Sequence, residues 1–364
     1  MLLSYPYRVN AQRLHALSLE RQRQVDAVLD RFFSLAKNRA ASFGAEYVKL
    51  WETLESNTVG GKRFRPRMVM AAYEALGGTD SEAAAYVGAA FELLHTALIV
   101  HDDVIDRDFS RRGIPNVSGS YRDIATTAGI PIPTAEHRGM SAAVIAGDLA
   151  LFNAYRLIDR SGVADGTRSR LLEIMDDALF ASAAGELIDV DFSITTKMPK
   201  VQDVLAMERL KTAVYSFECP LQAGAVLAGA DESIVEVLGA FGREIGVAYQ
   251  IVDDLLGVFG VETETGKTTI GDLREGKRTV LIAHATTTPQ WAGIRHLVGK
   301  PDLSLDEATV VRAALEVSGS RAFTEALARV HAGRALTSLE RPVLPERLRV
   351  ELTPVADDVL SRVK

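Results

Sequence analysis

Two short stretches of the chain each end an apolar run on adjacent carboxylates. LIVHDDVIDRD places Asp102, Asp103, Asp106 and Asp108 within seven positions, and YQIVDDLLG places Asp253 beside Asp254. On a helix, Asp102 and Asp106 share one face, and two like charges at that spacing repel. A hard divalent cation supplies the compensating charge. Mg2+ prefers oxygen ligands, keeps several waters and takes one or two carboxylates together with substrate phosphates. A solvated acidic helix end would explain either cluster alone. Seeing the same arrangement twice favours two helices whose carboxylates face each other across a pocket mouth, with metal ions bridging a phosphate between them.

A phosphate ligand also needs fixed cations. GGKRFRP supplies Lys62, Arg63 and Arg65, and RRGIP adds Arg111 and Arg112 just after the first acidic cluster. ERLKTA places Lys211 beside Thr212 in a predicted helix, and GKTTIGDLREGKRT adds Lys267 and Lys277 after the second cluster. Arginine forks bind phosphate oxygens bidentately, and lysine acts as a point charge. Any one of these groups alone reads as ordinary surface charge. Their placement directly after both acidic motifs argues for a shared anion. GKTT is not a P-loop, because the glycine-rich lead and the preceding strand are missing.

The elements that must carry these groups are helical. A helix is predicted from about Ser81 through the first acidic cluster, and others over MSAAVIAGDLALFNAYRLIDRSG, SRLLEIMDDALFASAAGELIDVDFS and ESIVEVLGAFGREIGVAYQIVDDLLGVFG. VQDVLAMERLKTAVYSFECPLQAGAVLAG reads as helix with a break at Pro220. Alternating β-branched runs bounded by turn residues are nearly absent. The expected fold class is all-α, a helical bundle. Residues 110–139, 260–279 and 286–304 read as loops. With no long linker and no repeat, residues 1–364 are expected to form a single domain, with a motif-bearing core at about 55–285 and a helical tail at about 300–364.

Composition sets outer limits. The chain has 364 residues, 47% apolar and 24% charged, the balance of a globular protein. A net charge of −7 disfavours non-specific nucleic-acid binding. The one cysteine, Cys219, allows no disulfide within the chain and fits a reducing, cytoplasmic setting. The first twenty residues lack the pattern of a signal peptide, and no uninterrupted apolar run of about 18 residues predicts a membrane span.

Taken in order, these stretches resemble the trans-isoprenyl diphosphate synthases, the polyprenyl synthetase family. The resemblance covers roughly residues 55–285 and rests on GGKRFRP, HDDVIDRD with RRGIP, AGDLAL, KTA, YQIVDDLLG and GKTTIGDLREGKRT. Departures are modest. A third aspartate commonly ends the second motif, where this chain has Gly257. Tyr249 replaces the usual aromatic before Gln250, and Asn116 stands where threonine is frequent.

The resemblance implies a head-to-tail condensation of isopentenyl diphosphate with an allylic diphosphate, run by a homodimer with three Mg2+ per site. It implies that Asp102 and Asp106 hold two ions and Asp253 the third, with Asp103 and Asp254 in support. It assigns Arg111, Lys211 and Lys267 to the allylic diphosphate, and Lys62, Arg65, His95 and Arg112 to isopentenyl diphosphate, with Tyr249 and Lys277 also among the binding groups. Thr212 and Gln250 offer neutral oxygens near the cation. By the same resemblance the released diphosphate takes the proton; His101, beside Asp102, is the alternative base, and reads first as a residue that packs or hydrogen-bonds structurally.

Product length follows from the helix before Asp102. One helical turn rises about 5.4 Å, near one isoprene unit. Ala97 and Leu98 lie one turn before the aspartates, where short-chain synthases tend to place an aromatic floor; Leu94 and then Phe91 lie beyond. The small Ala97 leaves the pocket open and Phe91 closes it, which predicts a C20 product, geranylgeranyl diphosphate, with farnesyl (C15) and geranylfarnesyl (C25) diphosphate as alternatives. A class I terpene cyclase would need a metal-binding hydroxyl that DDLLGVFGVE lacks, and would not need GKRFRP. A regulatory subunit of a heteromeric synthase could dispense with one acidic cluster, and this chain keeps both.

Overall fold

The computed structural model describes residues 5–59, 63–111, 113–260 and 269–362, with side chains from Leu19 onward. The fold is all-α, as expected. Among the described residues the only strands are two residues long. Two compact units divide the chain: Met1–Met175 with Ala223–Ala230, and Asp176–Gln222 with Asp231–Lys364.

In the first unit, α1 (Tyr5–Ala40), α2 (Ala45–Thr58), α3 (Phe64–Ala75) and α4 (Ser81–Ile105) precede a hairpin of β1 (Ser110–Arg111) and β2 (Ile114–Pro115). Then come α5 (Val117–Thr127), α6 (Ile132–Asp159) and the first part of α7 (Asp165–Ile194). Asp80 starts α4 by accepting a hydrogen bond from the Ala83 amide at 3.0 Å. Helix α4 is buried over most of its length and packs on α6, α3 and α1. Small residues let α6 lie close: Ala143, Ala146, Gly147, Ala150 and Ala154 are all buried at helical spacing.

Residues 110–139 are not the loop expected from their glycines and prolines. They hold the hairpin, α5 and the start of α6. The punctuating residues mark element boundaries instead. Gly113 turns the hairpin at φ +77°, Gly129 follows α5 at φ +80°, and Pro131 leads into α6.

In the second unit, α8 (Val201–Glu208) runs into a wide π-type segment, Arg209–Glu218, followed by the start of α9 (Cys219–Leu227), whose residues from Ala223 belong to the first unit, and by α10 (Glu232–Phe259). Pro220 therefore does not break the helix; it sits in the first turn of α9, directly after the widened turns, where a missing N–H is tolerated. Gly242 and Gly246 bring α10 onto this segment: a Cβ at either would stand 2.6 Å from Glu218 Cα or Ala213 Cβ. Beyond lie α11 (Gly271–Glu275), α12 (Val280–Ala285), α13 (Trp291–Ile294), α14 (Leu305–Val317), α15 (Ser320–Leu339) and α16 (Glu346–Ser361). Helices α11 and α13 fall in stretches expected to be loops. Leu255, Leu273, Leu281, Leu303 and Val311 share one apolar cluster.

Helices α4 and α6 are long and apolar enough to span a membrane by length and composition alone. The apolar window of α4 is 78% buried within the protein, so its hydropathy is accounted for by core packing.

Candidate active site

The first acidic cluster lies where α4 ends. Asp102 and Asp103 occupy its last turn, and Asp106 is the C-terminal cap, its amide bonded to the Asp102 carbonyl at 2.8 Å. Arg107 then takes a left-handed conformation, φ +57°, and the Asp108 amide returns to the Asp103 carbonyl at 2.8 Å. The sharp stop leaves Asp106 exposed, Asp102 half-buried and Asp103 buried.

The hairpin folds Arg111 back onto this end. Its Nε and Nη2 donate to Asp103 Oδ1 at 3.0 and 2.7 Å, and Nη2 also reaches Asp102 Oδ2 at 3.2 Å. Burial raises the Asp103 carboxyl above its ordinary value, and the nearby Arg111 charge partly opposes this. Asn116 has a clear local role. Its Oδ1 accepts from the Gly119 amide at 2.8 Å, capping α5, and its Nδ2 donates to the Asp108 carbonyl at 2.9 Å. Threonine has no amide nitrogen with which to make the second bond.

The AGDLAL motif serves His101. A Cβ on Gly147 would stand 2.2 Å from His101 Nε2, so only glycine admits the ring, and Asp148 Oδ1 lies 3.4 Å from the same nitrogen. The ring is thus held between Gly147 and the Asp148 carboxylate. Along α4, His95, Leu98, Ile99 and Asp102 form a half-buried stripe, whereas Phe91, Leu94 and Ala97 are sealed at 0% exposure.

Arg63 differs from its basic neighbours. It is buried with φ +45°, and donates to Asp26 Oδ1 at 2.8 Å, Glu92 Oε1 at 2.9 Å and the Thr58 carbonyl at 2.7 Å. It ties the end of α2 to α4 and holds the segment leading into half-buried Arg65. Lys62, Arg112 and Lys267 lie outside the described residues.

In the second unit, Lys211 Nζ meets Asp189 Oδ2 at 2.7 Å and Glu186 Oε2 at 3.0 Å, with Thr212 half-buried beside it. Gly185 makes this approach possible, since a Cβ there would stand 2.2 Å from the Lys211 amide nitrogen. On α10, Asp253 and Asp254 have opposite surroundings. Asp253 is half-buried and accepts from Arg362 Nη2 at 3.1 Å; the same guanidinium lies 4.8 Å over the Tyr249 ring. Asp254 is buried and accepts from Gln250 Nε2 at 2.8 Å.

Burial and the nearby Asp272 charge push the Asp254 carboxyl up to about 7, against hydrogen bonds from Glu208 and Gln250. Burial, followed by the Asp254 charge, drives fully enclosed Glu208 well above the usual carboxylate range.

Gly257, where the third aspartate was missing, is explained by space. A Cβ there would fall 1.9 Å from Asp272 Oδ2. Asp272 on α11 fills that volume and brings its own carboxylate. Lys277 Nζ sits 3.3 Å from Asp272 Oδ1 and 3.2 Å from Glu275 Oε2, and although burial alone would lower the Lys277 ammonium, these two carboxylates raise it well above its ordinary value.

Among the described residues, no three His, Cys, Asp or Glu side chains form a ready-made metal cage. Asp102 and Asp106 in the first unit, and Asp253 in the second, each offer hard oxygen donors of the kind Mg2+ takes together with water and phosphate. Each donor group by itself fits that ion.

Residues 48–315 match the family model for polyprenyl synthetase. The chain belongs to the polyprenyl synthetase family. It is 31% identical over 345 residues to a geranylfarnesyl diphosphate synthase of Aeropyrum pernix, covering 93% of this chain and 99% of that one. A geranylgeranyl diphosphate synthase of Sulfolobus acidocaldarius is 34% identical over 261 residues, 70% of this chain and 73% of that one. Among solved structures, a Corynebacterium glutamicum geranylgeranyl pyrophosphate synthase complexed with isoprenyl diphosphate and magnesium superposes with a TM-score of 0.87 at 29% identity, covering 94% of this chain and 98% of that one.

Five side chains of this polyprenyl synthetase lie beside the motif residues without being marked as site residues by the sequence motifs: Glu186, Asp189, Glu208, Asp272 and Arg362. Glu186 and Asp189, three apart in GELIDVD, carry a helical spacing that could have shown them. Asp272, Glu208 and Arg362 reach the second motif from distant sequence and left no local signal.

Proposed function

We infer that this polyprenyl synthetase is a Mg2+-dependent prenyltransferase making a short-chain prenyl diphosphate. In the reaction, the C–O bond of an allylic diphosphate breaks, its allylic carbon bonds to the terminal alkene carbon of isopentenyl diphosphate, and a proton is lost to the released diphosphate. Asp102, Asp106 and Asp253 would hold the metal, three ions per site, with Asp103 and Asp254 in support. When bound, magnesium neutralises charge on the departing diphosphate.

The chain's own groups do the rest. Arg111 and Lys211 grip the allylic diphosphate, and Lys267 is assigned to it by resemblance. Arg65 and His95, with Lys62 and Arg112, hold isopentenyl diphosphate. Gln250 donates its Nε2 to Asp254, so its Oε1 is the atom offered to the allylic cation together with the Thr212 hydroxyl. The observation that carries this reading is that each apolar helix carries, within its last two turns, an aspartate pair already met by a guanidinium, Arg111 or Arg362.

The product is read as C20. Ala97 leaves room one turn before Asp102, and Phe91, buried two turns further along α4, supplies the floor. The curated relatives named above make C20 and C25 products, and C15 is the remaining alternative. Homodimerisation is supported by exposed apolar residues at seven-residue spacing: Ile145 and Phe152 on α6, and Phe180, Leu187 and Ile194 on α7. Buried Cys219, the single cysteine, fits a cytoplasmic setting.

Incubation with labelled isopentenyl diphosphate, Mg2+ and each of the C5, C10 and C15 allylic primers tests the reading. Labelled C20 diphosphate is expected. No product from any primer rejects the activity, and C40 or longer products reject the short-chain assignment.

A further inference from the structure

One concave site in the second unit lies outside this machinery. A pocket of about 450 Å3 is lined mainly by Met198, Arg278, Trp291, Arg295, His296 and Val298. Its two walls differ in chemistry. Met198, Trp291 and Val298 pack against the apolar cluster of Leu273, Leu281 and Leu303, so one wall is hydrocarbon continuous with the core. The other wall is Arg278, Arg295 and His296, and among the described residues no carboxylate lines the pocket.

Arg278 parts from its neighbour. Lys277 turns to Asp272 and Glu275, whereas Nε of Arg278 points at the Phe192 carbonyl, 3.5 Å away. That contact leaves both terminal nitrogens of Arg278 for another acceptor. Among the described residues, no carboxylate pairs with Arg278 or Arg295. Arg278 and Arg295 line the same pocket, and an anion bound there is attracted to both. The volume lies in the range of small-molecule sites, roughly 300–1,000 Å3.

We propose that this pocket is a second ligand site, for a phosphorylated small molecule with an apolar body. The phosphate sits on Arg278 and Arg295, and the body lies along Trp291 and Met198. Two arginine forks and an imidazole suit the multiple charge and oxygens of a phosphate better than a single carboxylate.

Trp291 supplies the readout, because the chain has only two tryptophans. Trp51, the other, is buried in the first unit among the rings of Phe32 and Tyr47. Trp51→Phe therefore leaves a single reporter in the pocket. That variant is titrated in EDTA with farnesyl diphosphate and with inorganic diphosphate. Farnesyl diphosphate should change the Trp291 emission saturably. Affinity should fall about tenfold when Arg278→Ala and Arg295→Ala are added, and about tenfold for inorganic diphosphate, which lacks the apolar body. If Trp51→Phe fails to fold, the same comparison is run on the unaltered protein. Unchanged emission, an equal response without the two arginines, or equal affinity for both probes overturns the proposal. Turnover of the double arginine variant at saturating substrate is measured separately and should match the parent, so failure of the prenyltransferase reading leaves this result intact.

Discussion

The Arg362 guanidinium, just past the end of α16, lies 3.1 Å from Asp253 on α10, a carboxylate read as a metal ligand. It compensates Asp253 in the metal-free protein, so a cation arriving at Asp253 must share or displace it. Arg362→Ala should lower the melting temperature in EDTA, through a loss of about 1 kcal/mol for a partly exposed pair. The extra stabilisation on adding Mg2+ should grow. Thermal denaturation with and without Mg2+ measures both, and an unchanged EDTA melting temperature would remove Arg362 from this role.

Gly257 and Asp272 compete for one volume. Restoring the commoner motif with Gly257→Asp should therefore damage the protein. The new side chain meets Asp272 Oδ2, which lies 1.9 Å from its Cβ position, and adds a like charge. A lower melting temperature and weaker turnover are expected, and Gly257→Asp combined with Asp272→Gly should recover part of both. Wild-type stability in the single variant would refute the competition.

Ala97 and Leu98 make a paired test of product length. Ala97 is sealed at 0% exposure, while Leu98 is half-buried beside Asp102's face of α4. Ala97→Phe should shorten the product to C15, at a packing cost of roughly 1–3 kcal/mol. Leu98→Phe should shorten it at a smaller cost in stability. Chromatography of dephosphorylated products reads the first effect and denaturant titration the second. Unchanged products from both variants would dismiss α4 as the ruler.

The buried carboxyl of Asp254 sets a pH dependence in the metal-free enzyme. Its value rises from the usual 3.8 to about 7 on folding, so the folded state holds the proton more tightly. The associated stability is present below about pH 4 and is lost as pH rises through about 7. Denaturant unfolding in EDTA across that window should show the decline, and Asp254→Asn should flatten it. An identical slope in the variant would assign the effect elsewhere.

Arg63 is the group whose removal should cost the fold most. Its charge is 4% exposed and paired with Glu92, itself 8% exposed. Arg63→Met strands the Glu92 carboxylate and should cost roughly 3–5 kcal/mol by denaturant unfolding. Combining it with Glu92→Leu should recover much of that loss.

The sequence made the helices and both acidic motifs legible because apolar periodicity and charge spacing are local. Helix α4 begins at Ser81 as expected, and the aspartates end α4 and lie in the last two turns of α10. Residues 110–139 misled because glycine and proline mark the ends of short helices as readily as they mark loops. Local sequence groups Arg63 with the ligand cations, since nothing nearby in the chain shows that Asp26 and Glu92 enclose it. Asp272 could not be connected to Gly257, because the filling of one residue's space by another is a tertiary fact.

Positions 147, 185, 242 and 246 carry no functional group, yet a side chain at any of them would collide with His101, Lys211, Glu218 or Ala213. A saturation-mutagenesis map of this enzyme should therefore show two classes of intolerant site. One class is intolerant because of the atoms it bears. The other is intolerant because of the atoms it lacks, and those blanks sit on the helices that carry or flank the motifs.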